Sequence, residues 1–334
     1  MAASHTDSHP AHTELASISL DDLIVAIRAG GVDAQLAEGA TAGGGNARRA
    51  ASGTTEQTAV RGMTVDSREV QPGNLFVCKG AAFRPAFLAS AIERGACAYL
   101  CPNDAALLEQ LELVAPGAPH IVASDVRRAM ALVAPVVYQH PEQALDIVGI
   151  TGTKGKSTVA YMLRSILLAA GDTPSVLGSI ETDDGIEHYE SHNTTPEAPE
   201  LWRHLWNSVK SGRRHMVMEV SSQGLKYDRV LGVPLSLGVF LNIGRDHISG
   251  VEHPTFEDYF ASKLRIFDQC ETAVVNIDAE HAPRVLSAAE KARRLITTSA
   301  RGANDATFAA LNARSTGLEL TFEVVDRLDP AHPQ

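Results

Sequence analysis

Six consecutive residues, Gly152-Thr153-Lys154-Gly155-Lys156-Ser157, place two glycines, two lysines and a hydroxyl in the span of one tight turn. A glycine-rich loop lets successive backbone N–H groups converge on an anion, and at the start of a helix the axial dipole adds to that field. Lys156 supplies a cation suited to the β- and γ-phosphates of a nucleotide, and the Ser157 hydroxyl is an oxygen ligand of the kind Mg2+ takes. The strict phosphate-loop pattern wants Gly six residues before the lysine, where Ile150 stands. With a strand before it and a helix after it, the loop is still expected to bind nucleotide, the alternative being a plain Gly/Lys turn. Glu219 ends the apolar run HMVMEV. A buried carboxylate must be paired, protonated or bound to a cation, and beside such a loop the nucleotide's Mg2+ is the natural partner. A third apolar run, LSLGVFLNI, delivers Asn242, then Asp246 and His247. Carboxylate, amide and imidazole thus meet at the strand ends, where open α/β sheets bind ligands. His247 taken alone reads as a capping or surface histidine, and Lys263, by spacing alone, as a surface lysine.

These residues need strands and helices to hold them. Residues 146–151 (DIVGIT) read as a short buried strand, and residues 158–170 as an amphipathic helix stopped by Gly171. Residues 256–267 form a helix with Tyr259, Phe260, Leu264 and Phe267 on its apolar face. Further upstream, Leu20, Leu23, Ile24 and Ile27 recur at helical spacing before Gly30-Gly31. Residues 61–79 read as strand, turn and strand, with Pro72-Gly73 at the turn and Leu75-Phe76-Val77 buried. Helices at 89–95 and 125–138 and strands at 98–100 and 120–122 complete an alternating pattern. Such alternation defines the α/β class. The boundary is placed near Ala144, which gives an N-terminal α/β domain over 14–143 and a P-loop, mostly parallel-sheet domain over 144–334. Residues 1–13 have the composition of a frayed tail, and residues 38–58 that of a flexible loop.

Composition excludes several classes. The 334 residues carry 29 Lys+Arg against 40 Asp+Glu, a net charge of −11, so a nucleic-acid partner held by phosphate neutralisation is not expected. No run reaches the roughly 20 apolar residues a membrane span needs, and the polar start lacks a signal core. Four irregularly placed cysteines make no disulfide framework. No membrane partner and a cytoplasmic location are the expectation.

The segments GITGTKGKST, ETDDG, NTTPE, EVSSQGL, NIGRDHI and YFASKLRIF, with the upstream stretch VDSREVQPGNLFVCKGAAFRPAFLASAIERGA, resemble the Mur ligase family from about residue 20 to residue 278. The resemblance implies a UDP-binding N-terminal domain and an ATP-dependent carboxylate–amine ligase of peptidoglycan precursor synthesis. It is similar to the branch that adds the third amino acid to UDP-N-acetylmuramoyl-L-alanyl-D-glutamate through an acyl phosphate. By resemblance, Gly152, Thr153, Lys154, Gly155, Lys156 and Ser157 hold the ATP phosphates, with Asn242 also on the nucleotide side. Ser157 and Glu219 hold one Mg2+, and His247 and Lys263 serve a second metal site, Lys263 as the family's CO2-derived carbamate. That modification turns a cation into an oxygen ligand and replaces the surface-lysine reading. Lys156, Glu219, His247 and Lys263 are the implied catalytic set.

On the substrate side, Thr194, Thr195, Ser221 and Arg229 match the family's contacts to the muramyl dipeptide, Arg229 with a fork suited to carboxylate or pyrophosphate. Ser67, in Asp66-Ser67-Arg68, matches a contact to the uridine end, and a simple turn residue is an equal reading of the residues alone. The loop form GTKGKS and the segment KGAAFRPAFL favour L-lysine over another diamino acid, diaminopimelate. The family's selecting residues lie in a C-terminal domain that this sequence does not contain, and the sequence stops before the Phe-Asn-x-x-Asn-Ala segment that closes the family's central domain. The expectation is therefore a C-terminally truncated ligase, with a non-catalytic module binding UDP-muramyl peptide or ATP as the alternative. A folylpolyglutamate-synthase-like enzyme shares the P-loop, but lacks a UDP-binding first domain, so the DSR segment argues against it.

Overall fold

The computed structural model describes residues 15–37, 58–246, 248–250 and 252–328. The tail at 1–13 and all but the last residue of the loop at 38–58 fall outside them. The chain folds as two compact units, one of residues up to Val126 with Val136–Gln139, the other of Arg127–Pro135 with His140 onward.

In the first unit, β1 (Ile18–Ser19) leads into α1 (Leu20–Ala29), whose first turn is fixed by the Ser19 hydroxyl accepting from the Asp22 amide. Leu20, Leu23, Ile24 and Ile27 form its buried stripe, and the helix stops at Gly30, as the spacing requires. Then come β2 (Ala34–Ala37), β3 (Ala59–Val60), β4 (Gly62–Thr64), β5 (Asn74–Val77), α2 (Pro85–Glu93), β6 (Ala98–Pro102), α3 (Ala105–Val114) and β7 (His120–Ala123), after which the chain enters α4 (Val126–Val137), whose residues Arg127–Pro135 belong to the second unit. Strands β2-β7-β6-β5-β4 make a five-stranded sheet, parallel except for β2. Two helices differ from the sequence reading. Helix α2 begins at Pro85 rather than at residue 89, because proline is pre-set for a first helical turn, where its missing N–H costs nothing. Helix α3 was not read at all, although Asp104 caps it by accepting from the Leu107 amide at 2.9 Å.

The second unit is built on one sheet of ten strands. Its elements are β8 (Asp146–Thr151), α5 (Lys156–Ala169), β9 (Ser175–Leu177), β10 (Glu181–Asp183), β11 (His188–Glu190), α6 (Ala198–Lys210), β12 (His215–Glu219), α7 (Ser222–Lys226), β13 (Leu235–Phe240), α8 (Phe256–Leu264), β14 (Cys270–Asn276), α9 (Ala282–Ala289), β15 (Arg294–Ser299), β16 (Phe308–Ser315) and β17 (Leu320–Asp326). The order is β11-β10-β9-β12-β8-β13-β14-β15-β16-β17, with β9 to β16 parallel in that row and antiparallel strands at both margins. Strand β8 lies between β12 and β13, Val148 facing Val217 on one side and Leu237 on the other. Both faces of such strands are covered, so β12 reads Met216, Val217 and Met218 without polar alternation. The chain reverses direction of travel across the sheet at β8. That is a topological switch point, and the ends of β8, β12 and β13 open onto it.

The α/β class stands. Among the described residues no helix is long and apolar enough to cross a membrane, and all four cysteines are free. Burial pushes the thiol of Cys101 up to about 12.

Candidate active site

The loop after β8 turns into α5 through Gly155, whose φ of 86° is a left-handed conformation natural to glycine. Gly152 is needed for a different reason, since a Cβ there would lie 3.0 Å from the Cβ of Leu241. The loop is held from outside. Asn242, two residues past β13, accepts from the amides of Thr153 and Lys154 at 3.0 Å each and donates back to the Lys154 carbonyl at 3.0 Å. The Thr153 hydroxyl meets the Tyr259 hydroxyl at 3.0 Å, and exposed Lys154 pairs with Asp246 at 2.9 Å. Asn242 therefore shapes the loop rather than extending β13 toward a ligand as the sequence reading had it.

Two lysines converge on the loop. Nζ of Lys156 donates to the Gly152 carbonyl at 3.1 Å, and Nζ of Lys263, from α8, donates to the same oxygen at 3.0 Å. Lys263 is 2 % exposed. The surface position that helical spacing alone suggested is thus wrong: residue 263 lies one turn beyond Tyr259 and shares its buried face. Burial, then the charge of Lys156, brings the Lys263 amine down to about 7. Burial also lowers Lys156, against the opposing pull of Glu219.

Glu219, at the end of β12, is 1 % exposed. Its carboxylate accepts from the Ser179 amide at 2.9 Å and from the Ser179 hydroxyl at 3.3 Å. Both donors are neutral, so this buried charge has room for a cation, and the Ser157 hydroxyl has no hydrogen-bond partner among the described residues. The donor set of carboxylate and hydroxyl suits a hard divalent ion. His247 lies outside the described residues.

Thr194 and Thr195 follow β11 and pack beside β12. The Thr194 hydroxyl meets that of Ser179 at 2.9 Å, while the Thr195 hydroxyl donates to the Glu219 carbonyl and accepts from the Ser221 amide, both at 2.9 Å. Ser221 caps α7 by accepting from the Gly224 amide. Arg229 donates to the Thr195 carbonyl at 2.9 Å and pairs with Glu197 at 3.1 Å, so its fork is partly engaged within the protein. One cavity is lined by Lys156, Lys263, Thr194, Thr195, Ser221 and Arg229, along with Ser222 and Glu252. Phosphate-type and substrate-type candidates thus share a single recess. Ser67, 9 % exposed, belongs to the other unit, in the turn after β4 where Asp66 pairs with Arg68.

Two clusters escaped the sequence reading. The His253 ring, 0 % exposed, has Nε2 at 2.9 Å from the Ser222 hydroxyl and Nδ1 at 2.6 Å from the Asp258 carboxylate, which also accepts from Lys226 at 2.7 Å. Asp184, Glu187 and His204 gather as a metal-like trio. There Asp184 accepts from His204 at 2.6 Å, from Asn207 at 2.8 Å and from the amides of Ile186 and Glu187. Glu187 pairs with Arg203 and Asn207, and the other His204 nitrogen meets Tyr189. These ligand atoms already hold one another.

Comparison with known proteins gives a consistent picture. Residues 150–329 match the family model described as the Mur ligase middle domain. The UDP-N-acetylmuramoyl-L-alanyl-D-glutamate--L-lysine ligase of Streptococcus thermophilus is 40% identical over 220 residues, covering 66% of this chain and 44% of that protein. The UDP-N-acetylmuramyl-tripeptide synthetase of Bifidobacterium longum is 36% identical over 273 residues, covering 81% of this chain and 49% of that protein. Among solved structures, a UDP-N-acetylmuramoyl-L-alanyl-D-glutamate--2,6-diaminopimelate ligase superposes with a TM-score of 0.65 at 24% identity, covering 81% of this chain and 54% of that one. That likeness is one of fold. The chain spans about half the length of the curated relatives it matches.

Proposed function

Since the chain belongs to the Mur ligase family, we propose that it takes part in ATP-dependent addition of L-lysine to UDP-N-acetylmuramoyl-L-alanyl-D-glutamate. The observation that carries this reading is the single recess in which Lys156 and Lys263 face Thr194, Thr195, Ser221 and Arg229. Phosphoryl transfer to a carboxylate asks for positioning and for cations around the moving phosphate, and this recess offers both. L-lysine is chosen because the Streptococcus relative carries that amino acid in its name.

In this proposal the loop 152–157 and Lys156 hold the ATP phosphates, with Asn242 keeping the loop's amides in place. Ser157 and Glu219 would hold Mg2+, which when bound would screen charge on the β- and γ-phosphates. His247 and Lys263 would serve a second ion. Lys263 suits conversion to a carbamate, because an amine brought down to about 7 has a far larger neutral fraction near neutral pH than an ordinary lysine, and only the neutral form adds CO2. The hydroxyl groups of Thr194 and Ser221 and the guanidinium of Arg229 would orient the muramyl dipeptide so that its D-glutamyl carboxylate meets the γ-phosphate. The acyl phosphate so formed would then yield to the incoming amine. In the first unit Ser67 would contact the uridine end. A nucleotide-linked substrate of this kind would be met in the cytoplasm, where thiols stay reduced.

The test is phosphate release from ATP with the UDP-linked dipeptide, comparing added L-lysine with added diaminopimelate. Release that requires L-lysine is expected. Binding of the dipeptide substrate without release would assign the chain to a binding role instead, and loss of neither ATP binding nor release in Lys156→Ala would remove the loop from the mechanism.

A further inference from the structure

We propose that Ser222, His253 and Asp258 form a proton relay for the amine that enters this recess. The inference rests on the ligation reading above and adds what that reading lacks, a destination for the amine's proton. An ammonium that becomes an amide loses two protons. The departing phosphate takes one, and the other needs an acceptor beside the reacting nitrogen.

Most groups on the recess wall cannot be that acceptor. Lys156 directs its amine at the Gly152 carbonyl, Lys263 at the same oxygen is committed to a metal ion as a carbamate in the ligation reading, and Arg229 is a donor paired with Glu197. The Thr195 hydroxyl is engaged with Glu219 and Ser221, and the Ser221 hydroxyl with the Gly224 amide. Ser222 differs. It borders the recess, its hydroxyl is backed by His253 at 2.9 Å, and His253 is backed by Asp258 at 2.6 Å. In the tautomer with the proton on Nδ1, His253 donates to Asp258 and accepts from Ser222, leaving the Ser222 oxygen lone pairs for a donor in the recess. The Tyr259 ring lies edge-on to the imidazole at 5.2 Å, and Lys226 pairs with Asp258. A carboxylate behind a histidine behind a hydroxyl is an arrangement that moves a proton from oxygen to nitrogen.

The step balances. One ammonium proton passes to the Ser222 oxygen as the Ser222 proton passes to His253 Nε2, and the nitrogen lone pair so freed bonds to the acyl carbon. The bond from the acyl carbon to the phosphate oxygen then breaks, phosphate leaves with the second N–H proton, and the imidazolium, held by Asp258, returns its proton to solvent. No oxidant or further reactant is needed.

A purely structural tie between α7 and the segment 252–258 would use the same contacts, so the experiment must separate the two. The full chain is given ATP, Mg2+, the UDP-linked dipeptide and a mixture of hydroxylamine, which is uncharged near neutral pH, and methylamine, which is charged there. Only methylamine needs a base. The expected result is a methylamide-to-hydroxamate ratio about 100-fold lower in Ser222→Ala and His253→Gln than in the native chain, the scale of general-base catalysis. Asp258→Asn lowers the ratio less, and Glu252→Gln leaves it unchanged. An unchanged ratio in Ser222→Ala and His253→Gln, a fall confined to Glu252→Gln, or a native chain that makes hydroxamate but no methylamide would overturn the relay. A native chain that makes no hydroxamate would overturn the ligation reading and the relay with it.

Discussion

Lys156 and Lys263 stand on different helices, yet their ammonium nitrogens reach one oxygen, the carbonyl of Gly152, at 3.1 and 3.0 Å. Two cations on one carbonyl repel each other, and the deeper one yields. Lys263 is brought from its ordinary 10.5 down to about 7, first by burial and then by Lys156. Between those values the unfolded chain binds more protons at this position than the folded one, so stability rises with pH across the window and the whole penalty is present below it. In CO2-free buffer, Lys263→Met should stabilise the fold by about 2–4 kcal/mol at pH 6.5, with the gain shrinking toward pH 9.5. Thermal melts at the two pH values check this, and a gain independent of pH would contradict it. Lys156→Ala should move the Lys263 transition upward, toward higher pH.

Gly178 bears on the candidate metal ligand. A Cβ at this position would fall 2.5 Å from Oε1 of Glu219. Because that atom ends a flexible side chain, Gly178→Ala should cost only about 1–2 kcal/mol through the disturbed bond to the Ser179 amide. It should nevertheless turn the carboxylate away and raise the Mg2+ concentration needed for nucleotide binding at least tenfold. A Mg2+ titration of ATP binding measures the effect, and an unchanged midpoint would separate Glu219 from the metal.

Asn242 offers an acceptor to two loop amides and a donor to one loop carbonyl. Asn242→Ala frees all three, and ATP affinity should fall about tenfold for a loss of roughly 1.4 kcal/mol, one good hydrogen bond. Asn242→Asp keeps the acceptor but adds negative charge facing the phosphates, and should bind more weakly than the alanine variant. Calorimetric titration with ATP ranks the three proteins, and the reverse order would mean that Asn242 does not set the loop.

The Asp184, Glu187 and His204 trio should ignore chelators. Its polar atoms satisfy one another, so a chelator should leave the melting temperature unchanged, whereas Asp184→Ala strands His204, Asn207 and two amides and should cost about 3–5 kcal/mol in denaturant unfolding. A drop in melting temperature on chelation would show an ion there.

Much of this was legible in the sequence because the carriers are local. The glycine loop, the apolar runs on either side of it and the polar residues at their ends announce a switch point without long-range information. Lys263 was not legible from spacing, which put it on the surface: it follows Tyr259 by one helical turn and shares its buried face, but a charge on an apolar face is easily assigned to solvent, and only the family resemblance gave it a role. The Ser222–His253 pair was not. Its partners are 31 residues apart and meet only because α7 and α8 pack together, and no periodicity marks a contact of that kind. Asn242 was visible as an amide near a strand end, whereas its target, the loop 89 and 88 residues earlier, follows from sheet order.

That sheet order also sets a schedule. Strand β8 is flanked by β12 and β13, with Val148 beside Val217 and Leu237. Neither neighbour exists when β8 leaves the ribosome. At about 5–20 residues per second, the flanking strands follow roughly 3–20 s later, and until then the loop lacks Asn242 and the second lysine. Nucleotide capture during translation would therefore report the emergence of α8, and a nascent chain released before that point would carry the phosphate motif without the means to use it.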